Sequence, residues 1–157
     1  MGYVLRAVIA NAEILRSATD GLAHARLAAL RQGLALLPVT DDLFDAVGDP
    51  AADRLPGFPM LPGGFDRTLA AWSHAGPVAY AEADYFGGTG EQHAAVWDGG
   101  HLVFGPLHTP EDEPFSKLGS PISQALRQLG ADAGREFDEF AAVGLGRHRA
   151  TEDWIPA

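Results

Sequence analysis

The spacing of apolar residues predicts short strands and short helices along the chain. Two apolar runs, residues 3–9 (YVLRAVI) and residues 34–37 (LALL), predict buried strands. Helices are predicted over residues 12–16, 43–47, 65–74 and 121–129, with starts marked by Asn11, Thr40 and Ser120-Pro121. Residues 140–143 (FAAV) predict one last strand. Residues 49–64, rich in proline and glycine, predict a loop.

Residues 75–107 carry the clearest pattern, which is that of three strands joined by two glycine turns. Apolar and polar positions alternate along residues 78–86, so the alanines share one face and Glu82 and Asp84 share the other. A Gly-Gly-Thr-Gly loop and an Asp-Gly-Gly turn supply the backbone freedom that tight reversals need. The alanine face is small enough for a helix to pack closely against it.

Together these elements predict an α+β fold in a single domain that spans residues 1–157. A chain of 157 residues fits one domain. The strands and helices follow no regular βαβ alternation, which favours an antiparallel sheet over a parallel one. The expected architecture is an antiparallel sheet with a central three-strand meander and with helices packed on one face.

The net charge of the chain is −10, and it is concentrated in the middle third. Residues 40–113 hold thirteen acidic residues against two arginines. Because such a segment repels phosphate, we expect no binding to nucleic acid. A basic protein partner is the complementary expectation. Solubility is the alternative explanation of the same charge.

The composition also excludes several kinds of site. The chain has no cysteine, which rules out disulfides and thiolate metal sites. The first residues do not resemble a signal peptide, and no apolar run approaches the ~20 residues of a membrane span. We therefore expect a cytoplasmic protein without membrane contact. The sequence indicates no cofactor and no particular oligomeric state.

Glu82 and Asp84 form the one fixed carboxylate pair that the pattern predicts. They lie roughly 6.5–7 Å apart along one strand, a spacing suited to acid–base chemistry or to a shared cation. Glu91 and His93 on the next strand, and Tyr80 on the same face, complete the predicted ligand-binding set. The alternative is that these residues only line the wet face of an antiparallel sheet.

Known catalytic and metal-binding motifs are missing from the sequence. The loop at residues 87–90 lacks the Lys-Ser/Thr ending of a phosphate-binding loop and precedes a strand, so we interpret it as a turn. The six histidines show no HExxH or other local metal spacing, and no metal site is predicted. No catalytic residue is identified, and the sequence leaves open whether the protein is an enzyme.

A second surface is predicted on the proline-rich loop. Phe58, Met60 and Leu61 lie among prolines, and apolar side chains on a stiff loop can bind a partner at low entropic cost. Burial of the three side chains against the edge of the core is the alternative.

Three segments of the chain carry a resemblance to known proteins: residues 79–100 (AYAEADYFGGTGEQHAAVWDGG), 120–130 (SPISQALRQLG) and 143–154 (VGLGRHRATEDW). On these segments the chain resembles a group of small uncharacterised actinobacterial proteins with the same layout. That group has no assigned activity, so the resemblance implies a family and no function. In size, charge and expected location the chain is also similar to the immunity proteins that neutralise polymorphic bacterial toxins, a likeness that no motif carries.

Two functions follow as expectations. The first is a non-enzymatic protein-binding domain, similar to an immunity inhibitor, that uses the acidic middle third. The alternative is an enzyme, or a protein that binds a small ligand or a cation, using the carboxylate cluster of the meander. A concave pocket that holds those carboxylates would favour the alternative, and a flat exposed strand would contradict it.

Overall fold

The computed structural model describes residues 2–155, which form one six-stranded antiparallel sheet with five α-helices. The strands are β1 (Gly2–Asn11), β2 (Ala28–Ala29), β3 (Leu34–Pro38), β4 (Val78–Phe86), β5 (Thr89–Asp98) and β6 (His101–Thr109). The helices are α1 (Ala12–Thr19), α2 (Asp41–Val47), α3 (Phe65–Trp72), α4 (Pro121–Gln128) and α5 (Glu139–Val143). The strand order is β2-β3-β1-β4-β5-β6. The predicted α+β fold with an antiparallel sheet is confirmed.

The predicted meander is present and forms half of the sheet. β4 pairs with β5, and β5 pairs with β6. The first turn uses Gly87 and Gly88 at φ values of 61° and 82°, a conformation that favours glycine, as the sequence predicts. β1 pairs with the other side of β4. The first strand of the meander is therefore central in the sheet, and the last strand is an edge.

Helices cover both faces of the sheet, so the expectation that they pack on one face is wrong. On one face Ala79, Ala81 and Ala83 pack in a core with residues of α4 and α5. On the other face Val78 and Tyr80 pack with residues of α1, α2 and α3. The reason lies in β4, whose second face begins with these two large side chains, both fully buried. Burial of each such side chain stabilises the fold by about 1.5–3 kcal/mol.

The predicted helix starts are confirmed by their capping hydrogen bonds. The Asn11 side chain accepts from the backbone N–H of Glu13 at 2.9 Å, which begins α1 directly after β1. Thr40 caps α2, and Ser120 caps α4 with a proline in the first turn. Each cap satisfies a backbone donor that has no partner inside its helix.

The last predicted strand is wrong, because residues 140–143 belong to α5. The Asp138 side chain accepts from the backbone N–H of Ala141 at 2.9 Å and so begins the helix. Gly144 ends it in the left-handed conformation at a φ of 92°. Four apolar residues fit either a strand or one helical turn. The caps at Asp138 and Gly144 stabilise the helical turn. Trp154, which follows this helix, is buried in the core.

The proline-rich loop folds back over the sheet and does not present the predicted apolar surface. Phe58 and Leu61 are 3% and 0% exposed, and only Met60 is exposed. The Phe58 ring packs edge-on against the Tyr80 ring, with 5.2 Å between centroids. The prediction of an exposed trio is wrong because the loop directs two of its three apolar side chains into the core on that face of the sheet.

The helices are short throughout the described part of the chain. The longest α-helices have eight residues, whereas a membrane span needs ~20. No helix within residues 2–155 is long and apolar enough to cross a membrane.

Candidate functional site

A row of polar side chains crosses four neighbouring strands of the sheet. Arg6 on β1 lies opposite Glu82 on β4, and Glu82 lies opposite His93 on β5. His93 in turn lies opposite His108 on the edge strand β6. Because directly paired residues point to the same face of a sheet, all four side chains stand on the face that the proline-rich loop covers.

A cleft of about 360 Å³ opens beside this row. Its polar lining consists of Arg6, Glu82, Asp84, Glu91 and His93, and its apolar lining of Val4, Leu5, Pro59, Met60 and Ala83. Asp84 on β4 is the direct partner of Glu91 on β5, and each lies two residues along its strand from Glu82 or His93. The volume is at the small end of the range of about 300–1,000 Å³ for ligand pockets.

Glu82 is buried at the base of the cleft and holds the proline-rich loop in place. Its Oε2 atom accepts from the Tyr80 hydroxyl at 2.8 Å and from the backbone N–H of Met60 at 3.1 Å. Burial raises the pKa of Glu82, while the two hydrogen bonds and the charge of Arg6 act against that rise. Glu82 therefore joins β4 to the loop that forms the opposite wall of the cleft.

Arg6 supplies the positive charge of the cleft. Its guanidinium contacts Asp41 of α2 at 3.0 Å, and the side chains are 11% and 88% exposed respectively. An ion pair with so exposed a carboxylate contributes little to stability, about 0–1 kcal/mol. The contact nevertheless ties Arg6 to α2, and three carboxylates remain in the cleft against this one guanidinium.

Glu91 lines the cleft and lies beside two histidines, His93 and His108. Its Oε2 atom lies 3.0 Å from Nε2 of His108, and its Oε1 atom lies 3.8 Å from Nε2 of His93. The hydrogen bond from His108 is the largest of the effects that lower the pKa of Glu91. The donor atoms of these three side chains all lie within 4.8 Å of one another, a spacing compatible with a metal ion.

His93 is buried without a partner for its ring nitrogens. The residue is 7% exposed, and neither Nδ1 nor Nε2 makes a hydrogen bond. Burial, followed by the charge of His108, lowers the pKa of His93. The Gly57 carbonyl and Glu91 oppose this shift, although neither reaches hydrogen-bonding geometry with the ring. His93 is thus a buried polar group whose hydrogen-bonding capacity is unused.

The pairing of His93 with His108 depends on irregularities in β6. Trp97 pairs with Leu102, but Val96 pairs with Phe104, and the register shifts once more before Ala94. Each shift places one extra residue on β6, and together they move the strand by two residues relative to β5. An unbroken hairpin from the same turn would place Pro106 opposite His93.

The predicted ligand-binding residues meet in one place. Glu82, Asp84, Glu91 and His93 all line the cleft. Tyr80 lies beneath it and acts on it only through the hydrogen bond to Glu82. The alternative prediction is that these residues only line a solvent-exposed face of the sheet. Asp84 is exposed, as that alternative expects, whereas Glu82 is buried, which contradicts it.

Two residues of the site are missing from the predicted set. Arg6 is the one charged residue inside the first predicted strand, and a polar residue in an apolar run is a signal that could have found it. The position of His108 opposite His93 depends on two bulges in β6. Gly105-Pro106 is a sequence signal of an irregular strand, but it does not give the register.

The segments that carry the resemblance to small actinobacterial proteins lie in different parts of this fold. Residues 79–100 cover most of the β4–β5 hairpin and hold four of the five polar residues of the cleft. Residues 120–130 contain α4, and residues 143–154 run from the last residue of α5 through two short 3₁₀ turns. The resemblance itself stays a prediction. No protein-family model matches the chain, and neither a curated protein nor a solved structure matches it significantly.

Proposed function

We propose that the protein binds a small organic cation in the cleft, which corresponds to the ligand-binding function that the sequence offers as an alternative. One observation carries the proposal: three carboxylates, those of Glu82, Asp84 and Glu91, stand in a single concave site. A site of that kind is what a small ligand needs and what a flat sheet surface cannot offer.

The charge of the cleft selects the ligand class. The three carboxylates face one guanidinium, which is already paired with Asp41. An ammonium group bound between Asp84 and Glu91 gains charge-assisted hydrogen bonds, each with a net contribution of about 1.5–3 kcal/mol. A carboxylate ligand of the same size meets repulsion in the same place.

The walls of the cleft select a ligand with an apolar body. Val4 and Met60 are 43% and 41% exposed and stand beside the carboxylates. Exposed apolar groups that line a concave site gain from burial beneath a ligand, at about 25 cal/mol per Å². The proposed ligand is therefore an amine with a short hydrocarbon or aromatic body.

Isothermal titration calorimetry with a matched pair of probes tests the proposal. The probes are 3-phenylpropylamine and 3-phenylpropionate, which share a body and differ in the sign of the charge. We expect the amine to bind and the carboxylate not to bind. The variant Asp84→Asn should weaken amine binding by about tenfold, which corresponds to about 1.4 kcal/mol.

The control is Asp98→Asn, which removes an exposed carboxylate at the far end of β5, outside the cleft. This variant should bind the amine as the unmodified protein does. Equal binding of both probes, or equal weakening by both substitutions, would show that the affinity comes from general surface charge.

A second candidate function, the binding of a basic protein partner as in an immunity-like inhibitor, is supported by the placement of the acidic residues. Ten of the thirteen acidic residues in residues 40–113 are exposed: Asp41, Asp42, Asp45, Asp49, Asp53, Asp84, Asp98, Glu111, Asp112 and Glu113. Three of these exposed acidic residues, Asp41, Asp42 and Asp45, lie within five positions of one another on α2. A cytoplasmic location belongs to this proposal.

Affinity capture with charge-matched variants tests the second candidate. The double variant Asp42→Asn, Asp45→Asn removes two charges from α2, and Glu111→Gln, Asp112→Asn removes two from the distant loop. We expect a stoichiometric basic partner to be captured by the unmodified chain and by the loop variant, and to be lost with the α2 variant. Equal capture by all three proteins would exclude α2 as the binding surface.

A further inference from the structure

Two imidazoles and one carboxylate converge where β5 pairs with β6. Glu91 and His93 are two residues apart on β5, and His108 is the direct partner of His93 on β6. The Nε2 atoms of both histidines face the two oxygens of the one Glu91 carboxylate, at 3.8 Å and 3.0 Å. The donor atoms of the three side chains therefore lie close together, within 4.8 Å of one another.

A second, independent observation indicates that these three side chains bind a ligand. His93 is 7% exposed, and both of its ring nitrogens lack a hydrogen-bond partner. Buried polar groups in folded proteins are almost always satisfied by protein, water or an ion. One nitrogen of a neutral imidazole offers a lone pair, which is what a metal ion requires.

We infer that Glu91, His93 and His108 form a binding site for one divalent first-row transition-metal ion of the zinc type. Two histidines and one glutamate are a ligand set of zinc sites that keep a coordination position open. Imidazole ligands favour such ions over Mg²⁺ and Ca²⁺, which prefer oxygen. The site goes beyond the proposed cation-binding cleft, because His108 lies outside the lining of the cleft.

Metal binding requires a small movement of the side chains. The donor atoms lie within 4.8 Å of one another, whereas ligands around zinc at about 2.0–2.1 Å are separated by roughly 3.3 Å in a tetrahedral arrangement. The two rings are parallel to within 5°, so their in-plane lone pairs do not yet meet at one point. We expect rotation of the half-exposed His108 ring out of its stack on His93 to bring its lone pair toward the other two donors.

The surroundings of His93 suit a metal ligand. A ligating histidine usually donates its second ring N–H to a carbonyl or a carboxylate, which fixes the orientation of the ring. Gly57 of the proline-rich loop and His93 line one common depression, so we expect the Gly57 carbonyl to take that role. The two strands that carry the ligands are joined by ladder hydrogen bonds, so the backbone of the site is rigid.

Zinc titration of the untagged chain, freed of metal with a chelator and then dialysed, tests the inference. We expect calorimetry to show one Zn²⁺ bound per chain, and Co²⁺ to give the visible absorption of a low-symmetry nitrogen and oxygen site. Mg²⁺ should not compete. The variants His108→Ala and Glu91→Gln should each weaken zinc binding by more than about tenfold, since each removes or neutralises a direct ligand.

The matched control is His101→Ala, which removes another exposed histidine from the same strand, β6. Its zinc affinity should equal that of the unmodified chain. Circular dichroism establishes that each variant is folded, which is expected because Glu91 and His108 are about 40% exposed. A chain that binds no zinc, or a loss in His101→Ala as large as that in His108→Ala, would overturn the inference.

The variant Asp84→Asn separates this inference from the proposed function. Asp84 lines the cleft but is not part of the three-residue cluster. Zinc binding should be unchanged in Asp84→Asn while amine binding is weakened. If the unmodified chain binds the amine but no zinc, only the metal site is contradicted. If it binds zinc but not the amine, only the proposed function of the cleft is contradicted.

Discussion

The His93 ring stacks on the His108 ring, with 4.0 Å between the ring centroids and 5° between the planes. The contact joins a buried side chain on an inner strand to a half-exposed side chain on the edge strand. Glu91 lies beside both rings. The cluster therefore depends on how β5 and β6 pair over their whole length, and a change in β6 at a residue other than the histidines should alter it.

Gly105 lies inside the second register shift of β6. Its φ is 76°, and an added Cβ would meet the Ala94 carbonyl. We expect Gly105→Ala to lower the free energy of unfolding by about 2 kcal/mol, from backbone strain and the forced shift of β6. Urea denaturation measures the effect. The control is Gly99→Ala, also at positive φ but with open space around the added Cβ. A loss as large in this control would contradict the role of the bulge.

Glu82 should be more important for stability than its exposed neighbour Asp84. Alanine at position 82 leaves the Tyr80 hydroxyl and the Met60 N–H without their acceptor. Each buried group left unsatisfied costs about 1–3 kcal/mol. We expect Glu82→Ala to lower the free energy of unfolding by at least about 2 kcal/mol, and Glu82→Gln, which keeps an acceptor oxygen, to lower it less.

The matched control for this prediction is Asp84→Ala. Asp84 is exposed and makes no hydrogen bond that ties it to the loop, so its removal should change stability by less than about 0.5 kcal/mol. Denaturation curves of the three variants that coincide would show that Glu82 does not hold the proline-rich loop.

Glu139 should make stability depend on acidic pH. The hydrogen bonds from the Arg127 guanidinium, at 2.9 Å and 3.3 Å, lower the pKa of Glu139 in the folded chain. Because the folded pKa lies below that of the unfolded chain, the contribution is present at neutral pH. It is lost as the pH falls from the ordinary carboxyl range through the folded pKa.

Urea midpoints measured between neutral pH and about pH 3 check this dependence. We expect Glu139→Gln to flatten the acid limb of the stability curve, because the variant has no carboxylate to protonate. Glu136→Gln, at an exposed position in the segment before α5, serves as the control and should leave the limb unchanged. An identical acid limb in Glu139→Gln would disprove the contribution of the pair.

The alanine face of β4 should not accept a larger side chain. Ala81 is 1% exposed and lies in the same core as Ile122 and Leu126 of α4. We expect Ala81→Leu to lower the free energy of unfolding by about 1–3 kcal/mol, since overpacking forces the helix away from the sheet. Val103→Leu, at an exposed position on β6, should have almost no effect. Thermal denaturation distinguishes the two.

Much of the fold is predictable because local signals and tertiary packing agree. The caps at Asn11, Thr40 and Ser120 and the glycine turns of the meander require only neighbours in the sequence. The pairing of Glu82 with His93 and of Asp84 with Glu91 comes from a two-residue turn at Gly87-Gly88. The loop predicted over residues 87–90 would shift this register by two residues. That hairpin supplies four of the five polar residues of the cleft.

The remaining features depend on contacts between distant parts of the chain. Whether Phe58 and Leu61 are exposed is decided by the loop folding onto Tyr80 and Glu82, about twenty residues further along the chain. The position of His108 is decided by two bulges in β6. Gly105-Pro106 indicates an irregular strand but does not fix how far the register moves. The helical conformation of α5 is not predicted, because four apolar residues are too few to establish a period. It is set by the caps at its two ends.

The most direct test of the proposed cleft is a titration of the ¹⁵N-labelled chain with 3-phenylpropylamine, followed by amide chemical shifts. The amide of Met60 reports on the loop wall through its hydrogen bond to Glu82, and those of Asp84 and Glu91 report on the strands. We expect saturable shifts that concentrate at these three amides and that 3-phenylpropionate does not reproduce. Shifts centred on the acidic residues of α2, or identical shifts with both probes, would contradict binding in the cleft.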